Sequence, residues 1–345
     1  MSYERHFEYP LSASSRLTGS LALGDLETGQ RCYREGRLSV DGGRSLPISL
    51  THSPATERLM YGGEVECIEH LRTSLREMGV ELPGSGGRWL PGPLLLGSER
   101  TRVTQAGVLD CMRSPAFEEA LANRQEGEVV VLPVLREGMK YGLQEAVCDV
   151  LGAHCDEVVV DAHHVPDESV PYLGRRMELS VFKDADLTLA QREKVKVAIL
   201  GDSVASGTVI IGLIEVIKQR FPNVERIELV APLAAVYGLA RIAAFGNEAV
   251  PLRAHVFESL LNALPPEYYF SPFFPEEEMH MAKRAYSNYR DWWGVDKAGK
   301  PIAETACAGY GWSEAFFNPR KQIAMIDEQL RERHGMGLAE VLGRY

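Results

Sequence analysis

The sequence lacks any uninterrupted apolar run of about 18 residues, so no membrane span is expected. Its opening, MSYERHFEYPLSASS, has neither a basic start nor an apolar stretch and does not read as a secretory signal. Basic residues are in deficit: 37 Lys and Arg against 48 Asp and Glu leave a formal net charge of −11. That argues against a general nucleic-acid binder, which needs a basic footprint. A small anionic substrate stays open, because a few local cations and helix N-termini suffice to hold one. Cysteine is sparse and scattered. Cys32, Cys67, Cys111, Cys148, Cys155 and Cys307 show no paired spacing, and reduced thiols in a cytoplasmic protein are the expectation. No internal repeat is visible.

What remains is ordinary globular composition, 45% hydrophobic and 25% charged, in 345 residues. That length suits one elaborated domain or two, with a large core. Residues 1–60 read as short strands and loops with turns such as VDGGRSLP. The stretch ECIEHLRTSLREMG (66–79) predicts an amphipathic helix stopped by Gly79. The Pro- and Gly-rich segment ELPGSGGRWLPGPLLLGSE (81–99) is the best boundary in the first half.

From about residue 125 strands and helices alternate. EVVVLPVL (128–135), EVVVD (157–161), VKVAIL (195–200), RIELVAPL (226–233) and LRAHVF (252–257) are apolar runs of strand length. Between them Leu143, Ala146, Val147 and Val150, then Ile210, Leu213, Ile214 and Ile217, recur at helical spacing. Continuous apolar strands alternating with amphipathic helices imply an α/β fold, a parallel sheet covered on both faces. Ligands of such sheets bind at the carboxyl ends of the strands. Arg136, Asp161 and the stretch Gly201 to Gly207 therefore share one rim. After about 262 the alternation stops. Thirteen of the 28 aromatic residues lie between Tyr268 and Phe317, and the end reads as one or two charged amphipathic helices. The expected organisation is an accessory region at 1–95, a core at 96–262, and an aromatic-rich extension at 263–345 packed on that core.

The stretch VKVAILGDSVASGTVIIGL (195–213) admits two chemistries. GDS followed by Gly resembles the nucleophile block of GDSL hydrolases, with Ser203 attacking. A serine nucleophile needs a base and oxyanion donors, and those hydrolases carry further blocks that are not found downstream of Ser203. Only one of four blocks matches. The alternative is a phosphate cradle. A strand ends at Leu200, the small-residue loop GDSVASGT follows, and a helix begins near Thr208. Small residues admit backbone amides to phosphate oxygens, the helix dipole favours the anion, and Ser206 and Thr208 add hydroxyls. Asp202 at the strand end suits sugar hydroxyls. A plain strand–turn–helix corner looks the same, so the loop alone is a weak signal. LPVLREGMKYG (132–142) supplies a second anion-suited turn on the same rim, with Arg136 as the cation and Gly138 for an unusual backbone; the plainer role for Arg136 is an ion pair with Glu137 or Glu145.

Together these motifs resemble the type I phosphoribosyltransferases, most of all their uracil branch. VLPVLREGMKYG is similar to that branch's pyrophosphate loop, and VVVDAHHVPDESVPYLGRRMELSV (158–181) to its strand and mobile hairpin. GDSVASGTV is similar to the loop that binds phosphoribosyl diphosphate (PRPP), and FESLLN (257–262) to the start of the base-recognition segment, with Glu258 for Asp. The likeness spans roughly residues 120–262. It departs at Gly201, where many members have the first acid, at Thr208 and Val209, where many have Gly and then Thr or Ser, and at the absent Arg after the 157–161 strand. No uracil-binding segment is recognisable, so uracil specificity is not implied.

What the resemblance implies is transfer of phosphoribosyl from Mg²⁺-bound PRPP to a planar nitrogen heterocycle or small aromatic acceptor, with pyrophosphate leaving. Ala205, Ser206, Gly207, Thr208 and Val209 would hold the 5′-phosphate, beside Ser203. Asp202 would hold the ribose hydroxyls. Arg136, Glu137 and Gly138 would form the pyrophosphate loop, and Arg175, Arg176 and Lys183 would close over it. Mg²⁺ would be held mainly by the substrate. Glu258, Tyr268, Tyr269 and Phe270 would meet the acceptor, while most of the aromatic cluster docks the tail. His154, Cys155, Asp161, His163 and His164 fit no common zinc spacing; His163 or His164 would face the pyrophosphate in place of the absent Arg. A homodimer is expected, with no nucleic-acid or membrane partner. Two rivals stand beside this reading: a non-catalytic PRPP- or nucleotide-binding regulator on the same fold, and the esterase with Ser203 as nucleophile.

Overall fold

A single eleven-stranded sheet organises the computed structural model, which describes residues 2–11, 14–25, 29–66, 68–79, 81, 88–169, 175–181, 187–246, 250–263, 277–303 and 312–344. The chain opens with four antiparallel strands, β1 (Tyr3–Pro10), β2 (Arg16–Leu23), β3 (Cys32–Val40) and β4 (Arg44–His52). Helix α1 (Pro54–Tyr61), the short strand β5 (Gly63–Val65), helix α2 (Glu69–Glu77) and strand β6 (Arg88–Leu90) follow. Helices α3 (Gly97–Met112) and α4 (Pro115–Leu121) lead into β7 (Val129–Leu135), α5 (Leu143–Leu151), β8 (Asp156–Glu157), β9 (Val160–Pro166) and β10 (Arg175–Val181). Then come α6 (Leu189–Lys194), β11 (Val197–Gly201), α7 (Thr208–Arg220), β12 (Arg226–Ala231), α8 (Val236–Phe245) and β13 (Leu252–Phe257). Helices α9 (Lys283–Trp293), α10 (Trp312–Phe317), α11 (Pro319–His334) and α12 (Leu338–Leu342) complete the chain.

The sheet runs β1-β2-β3-β4-β13-β12-β11-β7-β9-β10, with β8 paired to β7. From β4 to β9 every neighbouring pair is parallel. The expected α/β architecture is thus present, and the N-terminal strands extend the sheet by an antiparallel meander. The reason lies in the apolar runs. Side chains alternate across a strand, so Val129, Val131, Val197 and Ile199 face one helical layer while Val130, Leu132, Ala198 and Leu200 face the other. On the first face pack α1, α3, α5 and the C-terminal helices; on the second, α7 and α8. Burying each Leu- or Val-sized side chain stabilises by about 1.5–3 kcal/mol, which only a sheet covered on both sides collects from both parities.

Sequence spacing overshoots at some ends. The 66–79 helix is shorter, Glu69–Glu77. The 157–161 strand is broken into β8 and β9, with the Val158 amide donating to Val131 O between them. The boundary segment 81–99 leads directly into core, because Leu94, Leu95 and Leu96 are buried with α3 and the C-terminal helices. Among the described residues no helix is long and apolar enough to cross a membrane.

Candidate functional site

Parallel strands bring their carboxyl ends to one rim, and the loops after β7 and β11 meet there. The Leu135–Arg136 peptide after β7 is cis. Arg136 is exposed and pairs with neither Glu137 nor Glu145, nor with any other described carboxylate. Gly138 then opens a 3-10 turn to Lys140. A Cβ on Gly138 would come 2.3 Å from Gly201 O, so only glycine lets the two loops touch. Gly201 is glycine for a matching reason. A Cβ there would sit 2.3 Å from a Leu143 methyl, which fills the space an acidic side chain would need.

The second loop is a pre-shaped corner. The Val204 amide donates to Leu233 O at 2.9 Å and the Ala235 amide to Val204 O at 2.7 Å, which fixes the loop to the end of β12. Gly207 turns with φ 76° and packs on Gly238 of α8, where a Cβ would be 2.6 Å from the Gly238 carbonyl. Ser206 is buried, its Oγ 3.0 Å from Thr208 Oγ1 and accepting from the Thr208 amide at 3.4 Å. Ala205 and Val209 are half-buried, and Val209 packs its side chain against the apolar core. Arg241, which no sequence pattern singles out, reaches from α8. Its Nη1 donates to Ser206 O at 2.6 Å and to Thr208 Oγ1 at 3.1 Å.

Beneath the rim lies a carboxyl-rich knot. The Ser203 hydroxyl donates to Glu137 Oε2 at 2.5 Å and lies 3.0 Å from the Tyr141 hydroxyl. The Ser203 amide donates to Asp202 Oδ1 at 2.9 Å. Burial raises the Glu137 carboxyl to about 7, against the lowering effect of the Ser203 hydroxyl, the Arg100 charge and hydrogen bonds from Ser313. Asp202 keeps partial contact with solvent, yet crowding by protein raises it well above the ordinary carboxylate range, and the nearby Glu137 charge adds to that. Arg100 is buried, donates to Gly92 O at 2.9 Å, and lies 3.7 Å over the Trp312 ring. Desolvation pulls its guanidinium down to about 9. Trp312 and Ser313 come from α10, so the C-terminal extension reaches this knot through the far end of the chain.

The other expected site residues are spread more widely. Arg176 on β10 pairs with Glu178 at 2.6 Å and Asp167 at 3.6 Å, and His163 on β9 lies 3.3 Å from Glu178 and 3.7 Å from Asp161. The β9–β10 hairpin lies along α7, where Met177 and Leu179 approach Gly212. Arg175 opens β10 opposite Pro166, and its side chain, like that of His164, lies outside the described residues. Lys183, Tyr268, Tyr269 and Phe270 also lie outside the described residues. Glu258, at the end of β13, is buried. Its carboxylate takes the Met281 amide at 2.5 Å and lies 3.4 Å from His52 Nδ1 and 3.6 Å from His280 Nδ1. Burial disfavours the charged His52 ring, but Glu258 outweighs it and the net shift is upward. Tyr61 hydrogen-bonds His280 in the same cluster. Among the described residues no group of three His, Cys, Asp or Glu is arranged to hold a metal ion.

No family model matches the sequence, and no curated protein does either. Among solved structures, a hypoxanthine phosphoribosyltransferase from Staphylococcus aureus aligns over 51% of this chain and 90% of its own, at 13% identity and a TM-score of 0.30. A hypothetical protein from Neisseria gonorrhoeae, determined with bound ppGpp, aligns over 55% of this chain and 94% of its own, at 10% identity and a TM-score of 0.32.

Proposed function

We propose that the chain binds PRPP at this rim and transfers its phosphoribosyl group to a planar nitrogen heterocycle or small aromatic acceptor. The observation that carries the proposal is the Gly138–Gly201 contact, which sets an unpaired arginine loop against a small-residue loop opening a 13-residue helix. Two anion-suited loops in contact match a substrate with phosphate groups at both ends of a ribose.

In this reading the Ala205 to Val209 backbone, with the Ser206 and Thr208 hydroxyls, holds the 5′-phosphate at the start of α7. Arg136, Glu137 and Gly138 form the loop at the diphosphate, with Arg136 supplying the charge and the Glu137 carboxyl turned to Ser203 beneath it. Asp202 accepts hydrogen bonds from the ribose hydroxyls and stabilises positive charge growing at C1. The C1–O bond to the diphosphate breaks, its electron pair leaves with pyrophosphate, and an acceptor nitrogen bonds to C1 as its proton departs. Mg²⁺ would be held mainly by the oxygens of the diphosphate, with Asp202 the rim carboxylate able to add an oxygen donor, and would supply charge neutralisation on the leaving group. For the β9–β10 hairpin to close over the site, Arg176 must exchange Glu178 for a phosphate oxygen. The acceptor is expected to meet Tyr268, Tyr269 and Phe270, which follow β13 in the sequence.

Calorimetric titration of PRPP with Mg²⁺ tests the binding half, and a panel of acceptors scored by pyrophosphate release tests the transfer. A PRPP- or nucleotide-binding regulator is the second reading. It is favoured by Val209 packing into the core where many of the resembled family have a hydroxyl, and by Arg176 held by Glu178 and Asp167. It predicts tight PRPP binding with no release from any acceptor. The esterase reading weakens, because the described partners of the Ser203 hydroxyl are a carboxylate and a tyrosine, with no histidine among them.

A further inference from the structure

Arg241 is held against the start of α7, its guanidinium carbon 5.8 Å from the Tyr237 ring centroid, in an arrangement that leaves two of its donor nitrogens unspent. One nitrogen, Nη1, makes both of its hydrogen bonds, to Ser206 O and to Thr208 Oγ1. Its Nε and Nη2 donors have no partner among the described residues, and no described carboxylate pairs with it. The first turns of α7 and α8 contain no acidic residue. A cation beside a helix N-terminus opposes the helix dipole, and an anion lying between the two turns that opposition into attraction on both sides. The geometry fits that role. The guanidinium is anchored at one end by the loop carbonyl, which leaves its other face as a planar fork, the shape that takes two phosphate oxygens at once. The Gly207–Gly238 contact fixes the spacing between α8 and the loop, so the fork cannot drift.

From these contacts we infer that Arg241 binds the phosphate monoester end of the substrate, supplying the charge that a loop with an apolar Val209 does not. This rests on the proposed PRPP site and deepens it: the ligand must carry a terminal phosphate monoester, and ribose 5-phosphate alone contains the recognised group. Arg241 is a binding residue for that group and takes no part in breaking the C1–O bond.

The test uses the full chain with ribose 5-phosphate and PRPP, both with Mg²⁺, on the wild type, Arg241→Gln and Arg241→Lys. Glutamine still offers an amide to Ser206 O but removes the charge; lysine keeps the charge without the fork. At unchanged melting temperature, Arg241→Gln should weaken ribose 5-phosphate at least tenfold and Arg241→Lys recover part of it. Pyrophosphate affinity, which belongs to the Arg136 loop, should stay within twofold in both variants. Wild-type affinity for ribose 5-phosphate in a folded Arg241→Gln would overturn the inference. Ribose 5-phosphate binding that depends on Arg241, without any PRPP binding, would uphold it and sink the PRPP reading instead. Binding of neither by the wild type would overturn both.

Discussion

The Ser203 hydroxyl and the Glu137 carboxylate meet at 2.5 Å, and that contact ties the loop after β7 to the loop after β11. Glu137 is held on its other side by Ser313 of α10 and lies in the field of Arg100. Three segments distant in sequence therefore converge on one buried carboxyl.

The pH dependence of stability follows. Glu137 stands at about 7 against a reference of 4.5, so the folded chain keeps a proton that the unfolded chain has shed between those values. Stability must fall as pH rises across that window, by at most about 3 kcal/mol from this group. Asp202 is raised too and adds a fall of the same sign. Denaturant unfolding at pH 5 and pH 8 should show a clearly smaller fall for Glu137→Gln than for the wild type. Equal falls would remove Glu137 from the account.

Gly138→Ala places a methyl 2.3 Å from a backbone oxygen of the facing loop. Backbone does not yield as a side-chain end does, so the loops must part. A stability loss of about 1–3 kcal/mol is expected in thermal or denaturant unfolding. PRPP affinity should drop at least tenfold by calorimetry. An alanine variant that binds as the wild type does would show that the loop contact is not needed.

Trp312→Ala removes a buried ring that covers Arg100 at 3.7 Å and packs edge-on to Phe316. A loss of about 3–5 kcal/mol is expected from the lost burial and the cavity together. Because α10 also carries Ser313 to Glu137, the same variant should weaken PRPP more than a distant core truncation of equal cost, such as Leu229→Ala in β12. Equal weakening by both would make the C-terminal helix a prop and nothing more.

Ser203 provides a separate check. Its hydroxyl is spent on Glu137 and Tyr141, so a fluorophosphonate probe should leave it unlabelled in a chain that still binds PRPP. Labelling at Ser203, read by peptide mass, would revive the esterase.

The core sheet is legible in the sequence because its strands are apolar on both faces, and a run of that kind is buried only where helices cover both sides of a sheet. The helix opening at Thr208 and the buried stripe Ile210, Leu213, Ile214 and Ile217 follow from the same kind of periodicity. The meander β1–β4 reads locally only as short strands and loops. Its place depends on β4 pairing in parallel with β13, about 200 residues away, and nothing local in RSLPISLTH encodes that partner. The rim loops are visible as small residues after strands, whereas what surrounds them is not. Arg241 and Tyr141 look like ordinary helix and turn residues until the fold brings α8 and the turn before α5 together at the rim. Glu137 reads as one member of a charged turn; its hydrogen bonds with Ser313 come from the other end of the chain. Glu258, expected at the acceptor, is instead surrounded by His52, His280 and the Met281 amide, partners that no spacing connects.

Asp202 carries the central claim, since it is the rim carboxylate assigned to the ribose. Titrating PRPP with Mg²⁺ into the wild type and into Asp202→Asn measures it directly. The account predicts saturable wild-type binding, and an affinity at least tenfold lower in a variant that melts no earlier than the wild type, because removing a crowded, charge-opposed carboxylate costs the fold nothing. A well-folded wild type that takes up no PRPP, or a variant that binds it equally well, would contradict the account.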